Sequence, residues 1–140
     1  MDSDPSAMVQ LYLHRTWYTR SLMLSRNLTR RIQHAHALEN LLPFLHPGAT
    51  VLDVGSGSGY LCAVLHHLVS PSQPGAPQGN VIGIDHIPEL VEWSTSNLIN
   101  NGLGSALDEG KILVVAGDGR QGKLYSLLEV KGTELIYIYV

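Results

Sequence analysis

Apolar residues recur at spacings of three and four from Ile32 to Leu45, at Ile32, Ala35, Leu38, Leu41 or Leu42, and Leu45. This period predicts an amphipathic helix, which Pro47-Gly48 stops. The pattern then changes to short, uninterrupted apolar runs. Val51, Leu52 and Val54 form the first, V-I-G-I-D at 81–85 the second, Ile112 to Ala116 the third and E-L-I-Y-I-Y-V at the carboxyl end the fourth. Runs of this length and β-branched content predict strands buried inside a parallel sheet. Helical stretches separate them: about Tyr60 to Val69, Pro88 to about Asn100 with its proline in the first turn, and a short one around Gln121 to Glu129. Trp93 and Leu90 read as the packing face of the second of these. Pro71 to Asn80 is too rich in Pro and Gly for regular structure and predicts a surface loop. A helix followed by β-α-β-α-β-α-β predicts an α/β fold of four mostly parallel strands, with ligands at the carboxyl ends of the strands.

Composition narrows the class. The chain has 140 residues, 44% hydrophobic and 15% charged, which suits one globular domain and argues against disorder. No apolar run reaches the roughly 18 residues of a membrane span. The single cysteine, Cys62, excludes an internal disulfide and a cysteine-rich metal site, so a reducing compartment, the cytoplasm, is the expected location. In the apolar first helix it reads as a buried, inert thiol.

The net charge of −3 is unevenly divided. Residues 1–31 carry five arginines against two acids, whereas 32–140 carry ten acids against four basic residues. The main body therefore lacks the clustered cations of a nucleic-acid surface. Residues 1–31 read as a poorly specified amino-terminal segment whose Arg-rich, acid-poor composition partly resembles a mitochondrial presequence, which makes a mitochondrial location the alternative. Residues 32–140 read as the domain proper. The seven histidines include His34 and His36, and His66 and His67, but no pair has the spacing of helical metal ligands, and no metal site is expected.

The chemistry concentrates at T-V-L-D-V-G-S-G-S-G-Y, residues 50–60. Glycines at every second position (Gly55, Gly57, Gly59) between a strand and a helix permit positive φ and close backbone approach to a ligand. The spacing is G-x-G-x-G rather than the dinucleotide pattern G-x-G-x-x-G. Asp53, two residues before the first glycine, repels a pyrophosphate but suits a ligand with positive groups. S-adenosylmethionine has an ammonium and a sulfonium and no phosphate. Asp85, ending strand two, is placed to accept from its ribose diol, and Asp118, after strand three, from its adenine amino group. The plainer alternative for the loop alone is a tight strand-to-helix turn.

Three segments in order, L-D-V-G-S-G-S-G-Y, V-I-G-I-D-H-I-P-E-L and V-V-A-G-D-G-R-Q-G, resemble the protein-L-isoaspartate O-methyltransferases, as does the helix H-A-H-A-L-E-N-L-L-P-F-L before them. The resemblance covers about His34 to Val140. It implies a Rossmann-like S-adenosylmethionine-dependent methyltransferase fold, of which this chain holds the amino-terminal half of the wound sheet. It implies methyl transfer to the α-carboxylate of L-isoaspartyl residues in damaged proteins, with isoaspartyl proteins or peptides as substrate. It adds Ser58 within the glycine loop, His86 and Glu89 after strand two, Gly119 beside Asp118, and His34 of the preceding helix to the cofactor contacts. Counted back without gaps, Thr29 falls on the family's active-site hydroxyl.

The chain also departs from the family pattern. Around Thr29 the family usually shows T-[IV]-S-x-P-x-M, whereas here the residues are N-L-T-R-R-I-Q. The chain is expected to be a member truncated at both ends, shorter ahead of Thr29 than the family and lacking the carboxyl-terminal part of the sheet. Strand four then becomes an edge available for self-association. Two other functions stay open on sequence alone: a catalytically inactive methyltransferase-like binding module, and a nicotinamide-dependent oxidoreductase, which the glycine spacing and Asp53 disfavour.

Overall fold

The computed structural model describes residues 26–119 and 135–139. The expected helix around Gln121 to Glu129 and the presequence-like residues 1–25 lie outside the described residues. The chain divides after Leu45 into two compact units. Helix α1 (Arg26–Leu41) belongs to the first and runs through the boundary expected at residues 31 and 32. It begins before Ile32 because Leu28 extends the same apolar repeat by one turn. It ends before Leu45 because Pro43 lacks an N–H and disfavours helical geometry at Leu42. The N–H groups of Phe44 and Leu45 turn back onto the Leu41 carbonyl at 2.8 and 3.1 Å.

The second unit starts at His46. Its elements are β1 (Thr50–Val54), α2 (Tyr60–Val69), β2 (Asn80–Asp85), α3 (Pro88–Asn100), α4 (Gly104–Asp108), β3 (Ile112–Ala116) and β4 (Leu135–Tyr139). Strand pairing is parallel throughout, in the order β3-β2-β1-β4. Thr50 stands opposite Asn80 on one side and Leu135 on the other, and Val81 stands opposite Ile112. The chain winds outward from β1 to β3 and then returns to the far side of β1. The loop after β1 therefore leaves the sheet at the point where the winding reverses, the usual place for a ligand in such sheets. Helix α4 has no counterpart in the periodicity, since five residues are too few to show a helical repeat. Gly102 (φ +83°) and Gly110 (φ +70°) bracket it.

The sheet alternates with period two. On one face Leu52, Ile82 and Ile84 pack together, with Val54 and Val115 against them. On the other face Asp53 and Gly83 meet α2, most of whose residues are buried. The packing face of α3 differs from the sequence expectation. Trp93 is 53% exposed, and the fully buried positions are Ser94 and Leu98. Bulk misled here, because α3 packs over Gly59, where a Cβ would stand 3.1 Å from that of Ser94 and a small side chain fits.

Helix α2 lies tight on β2. A Cβ added at Gly83 would stand 2.7 Å from the Cys62 sulfur and 3.0 Å from the Ser56 Cβ, and both neighbours are buried. Gly83→Ala is expected to destabilise the unit by about 1–3 kcal/mol through overpacking. Urea denaturation should show a lower midpoint with an unchanged slope. An unaltered midpoint would mean that α2 can move off the sheet freely.

Candidate functional site

At the end of β1 the backbone reverses through Gly55 (φ +86°), Gly57 (φ +52°) and Gly59 (φ +78°). Side chains with a Cβ rarely adopt these angles, so the alternating glycines are a backbone requirement. The loop hangs from β2: the N–H groups of Gly55 and Ser56 both donate to the Ile84 carbonyl, at 2.8 and 3.0 Å. Gly59 then starts α2 as its N-cap, with no side-chain cap. The positive end of the helix dipole thus points into the region of the loop.

Asp85, the last residue of β2, is buried and serves as the second anchor. Its Oδ2 accepts the Gly57 N–H at 3.0 Å and its Oδ1 accepts the Ile87 N–H at 3.1 Å. One carboxylate thereby ties the middle of the glycine loop to the entry of α3. The Asp85 carbonyl also accepts the Gly117 N–H at 2.9 Å, which sets the turn after β3. A cleft of about 430 Å³ opens at the carboxyl ends of β1, β2 and β3. Among the described residues its walls are Val54, Gly55, Ile84, His86, Gly117, Asp118 and Gly119, with no lysine or arginine. Gly119 is a packing requirement, since a Cβ there would stand 2.5 Å from Cγ1 of Val54.

Asp53 lies elsewhere. It is 1% exposed, on the α2 side of β1, where the Cys62 thiol donates to its Oδ2 at 3.4 Å. Burial first, and the neighbouring Asp85 charge in addition, push its pKa from 3.8 up to about 6, while the Cys62 hydrogen bond holds it down in part. Burial also pushes the Cys62 thiol well up, so the thiol stays protonated and donating. Cys62 is thus an inert buried donor.

The other expected residues are distributed as follows. Gly55, His86, Asp118 and Gly119 line the cleft, and Gly57, Ser58 and Gly59 form the loop beside it. The His86 side chain is 81% exposed, with Nδ1 3.6 Å from Oδ1 of Asp85. Glu89 sits exposed in the first turn of α3. Thr29 and His34 stand on α1 in the first unit, whereas the cleft is built by residues of the second. Sequence reasoning missed Val54 and Ile84 as lining. Their place at strand ends, on the face opposite Asp53, could have shown it. It also missed Asn97, whose side chain donates to the Ser58 carbonyl at 3.1 Å. No local pattern marks that residue.

A carboxyl group with a raised folded pKa stabilises the fold fully below its unfolded value of 3.8. That stabilisation is lost as pH rises through about 6. Above pH 6 the ionised Asp53 costs on the order of 3 kcal/mol, at roughly 1.4 kcal/mol for each tenfold change in proton affinity. Asp53→Asn keeps an acceptor for the Cys62 thiol and removes the charge. Its thermal stability relative to the native chain should therefore climb between pH 4 and pH 6.5 and level off above. A difference constant over that range would refute the assignment.

Comparison with known proteins agrees with this geometry. The profile of the family "Protein-L-isoaspartate(D-aspartate) O-methyltransferase (PCMT)" matches residues 6–125. A protein-L-isoaspartate O-methyltransferase of Triticum aestivum is 42% identical over 110 residues, 76% of this chain and 45% of that protein. One from Caenorhabditis elegans is 44% identical over 89 residues, 64% of this chain and 36% of that one. The chain thus spans less than half the length of these curated relatives. Among solved structures, one from Plasmodium falciparum superimposes with a TM-score of 0.70 at 23% identity, covering 91% of this chain and 62% of the other. That structure is described as a putative protein-L-isoaspartate O-methyltransferase in complex with S-adenosyl-L-homocysteine. The carboxyl-terminal domain of precorrin-6Y C5,15-methyltransferase from Rhodobacter capsulatus shares the fold with a TM-score of 0.54 at 17% identity, covering 86% of this chain and 53% of the other. The fold is that of the Rossmann-like methyltransferases, and the chain belongs to the protein-L-isoaspartate O-methyltransferase family.

Proposed function

We propose that the chain binds S-adenosylmethionine in the cleft beside the glycine loop and directs its methyl group to the α-carboxylate of L-isoaspartyl residues in damaged proteins. The observation that carries this reading is a cleft at the ends of three parallel strands, with Gly55 of the G-x-G-x-G loop and Asp118 among its described walls, in a member of this family. Its acidic edge and the lack of Lys and Arg among its described walls suit a positively charged ligand without phosphate. Its volume lies within the usual range of small-molecule sites, roughly 300–1,000 Å³.

Asp85 is buried and is not among the described cleft walls, but it directly precedes the wall residue His86. Each of its oxygens accepts one backbone N–H and keeps a further acceptor site suited to a ribose diol. Asp118, in the turn after β3, suits the adenine amino group. When bound, the cofactor supplies an electrophilic methyl group on a sulfonium. A substrate carboxylate, with a pKa near ~4, is ionised at neutral pH and attacks without a general base. The residues of the chain then act by holding donor and acceptor in line and by excluding water. Thr29 and His34 of α1 are the candidates for acceptor-side and additional cofactor contacts. We read the sheet as the amino-terminal half of the family's wound sheet. Among the described strands β4 is the outermost beside β1.

Calorimetry with S-adenosylhomocysteine should show one site. Asp85→Ala should weaken it about 10- to 100-fold, the effect of one or two hydrogen bonds to a charged group. Incubation with radiolabelled methyl donor should place a base-labile methyl ester on an isoaspartyl peptide and none on the aspartyl control. Binding without turnover would leave a cofactor-binding module, and absence of binding in a folded chain would overturn the cofactor assignment.

A further inference from the structure

The glycine loop is held from two sides, and only one hold belongs to a residue expected to contact the cofactor. From β2, Asp85 accepts the Gly57 N–H. From α3, the Asn97 carboxamide donates to the Ser58 carbonyl at 3.1 Å. One helical turn before Asn97, the fully buried Ser94 lies against Gly59, its Cβ 3.1 Å from where a Gly59 Cβ would stand. The Ser94 hydroxyl donates back to the Val91 carbonyl at 2.9 Å, so Ser94 meets the loop through its carbon atom. The Asn97 amide thus supplies the polar link from α3 to the Ser58 carbonyl.

We infer that Asn97 is a positioning residue for the cofactor site, an inference that rests on the cofactor reading above. Ser58 stands between two glycines of positive φ, whose backbones have little intrinsic preference for one conformation. A peptide in that position turns readily unless something outside the loop holds it. Asn97 anchors the carbonyl of that segment while Asp85 anchors an N–H one residue earlier. With both ends of the Gly57-Ser58 pair fixed, the loop is organised before any ligand arrives, and binding does not bear the cost of ordering it. Ser94 contributes by being small enough to let α3 approach.

Two measurements on the full chain test this. Asn97→Ala removes the donor, and alanine is the better helix former, so α3 is retained. Asn97→Asp keeps the shape and at neutral pH offers only acceptors. Each should weaken S-adenosylhomocysteine binding by about five- to twentyfold at unchanged stoichiometry. In the ligand-free protein each should also speed amide hydrogen exchange at residues 57–60 beyond the change elsewhere in the unit. Asn101→Ala is the control. It removes a side-chain hydrogen bond to the Asn97 carbonyl at 2.7 Å, on the same helix and away from the loop. It should lower the melting temperature and leave both readouts alone. Native affinity with native loop exchange in the Asn97 variants would overturn the inference, as would a fall in binding stoichiometry alone. If the native chain fails to bind S-adenosylhomocysteine, the cofactor reading falls and loop exchange alone decides whether Asn97 orders the loop.

Discussion

A backbone that must reverse through three left-handed residues has no conformation of its own to rest in, and the second unit supplies one from outside. The Asp85 carboxylate is the centre of that arrangement. It takes an N–H from the glycine loop and another from the start of α3, while its own carbonyl receives the turn after β3. Three connections at the carboxyl end of the sheet thus share one residue. Hydrogen bonds to a carboxylate are stronger than neutral ones, so this one side chain is an effective tie between the turns. The cleft exists because these turns are held apart and in place, with Val54 and Ile84 as its apolar walls.

The second acid does something different. Asp53 is buried against α2 and accepts a hydrogen bond from the Cys62 thiol, a weak donor, so burial prevails and its ionised form is disfavoured. The neighbouring Asp85 adds a smaller push in the same direction on Asp53. Of the acids at the strand ends, Asp118 is the one among the described walls of the cleft, while Asp85 is buried and directly precedes the wall residue His86.

Family membership and fold agree with the site, since the first glycine of the loop, the residue after Asp85 and the D-G after β3 line one cleft. Other expectations met physical details that a linear pattern does not carry. Pro43 ended α1 early because the ring bars helical geometry at its neighbour, and the apolar repeat obscured that signal. Trp93 looked like a core residue by size, yet Ser94 occupies the buried place, where α3 packs against Gly59. Asp53 looked like a residue of the mouth because it precedes the glycines. Strand alternation turned its side chain toward α2 instead.

Sequence alone determined what depends on neighbours a few residues apart: the strands by their β-branched runs, the helices by their period, and the loop by glycines that tolerate positive φ. It also determined the order of acids at the strand ends, since each follows directly from where a strand stops. The tertiary structure decided which side of the sheet each acid faces, how closely α2 and α3 approach, and that Asn97, 39 residues beyond Ser58, closes on its carbonyl. Such contacts depend on how whole helices lie on the sheet, and no local preference encodes them.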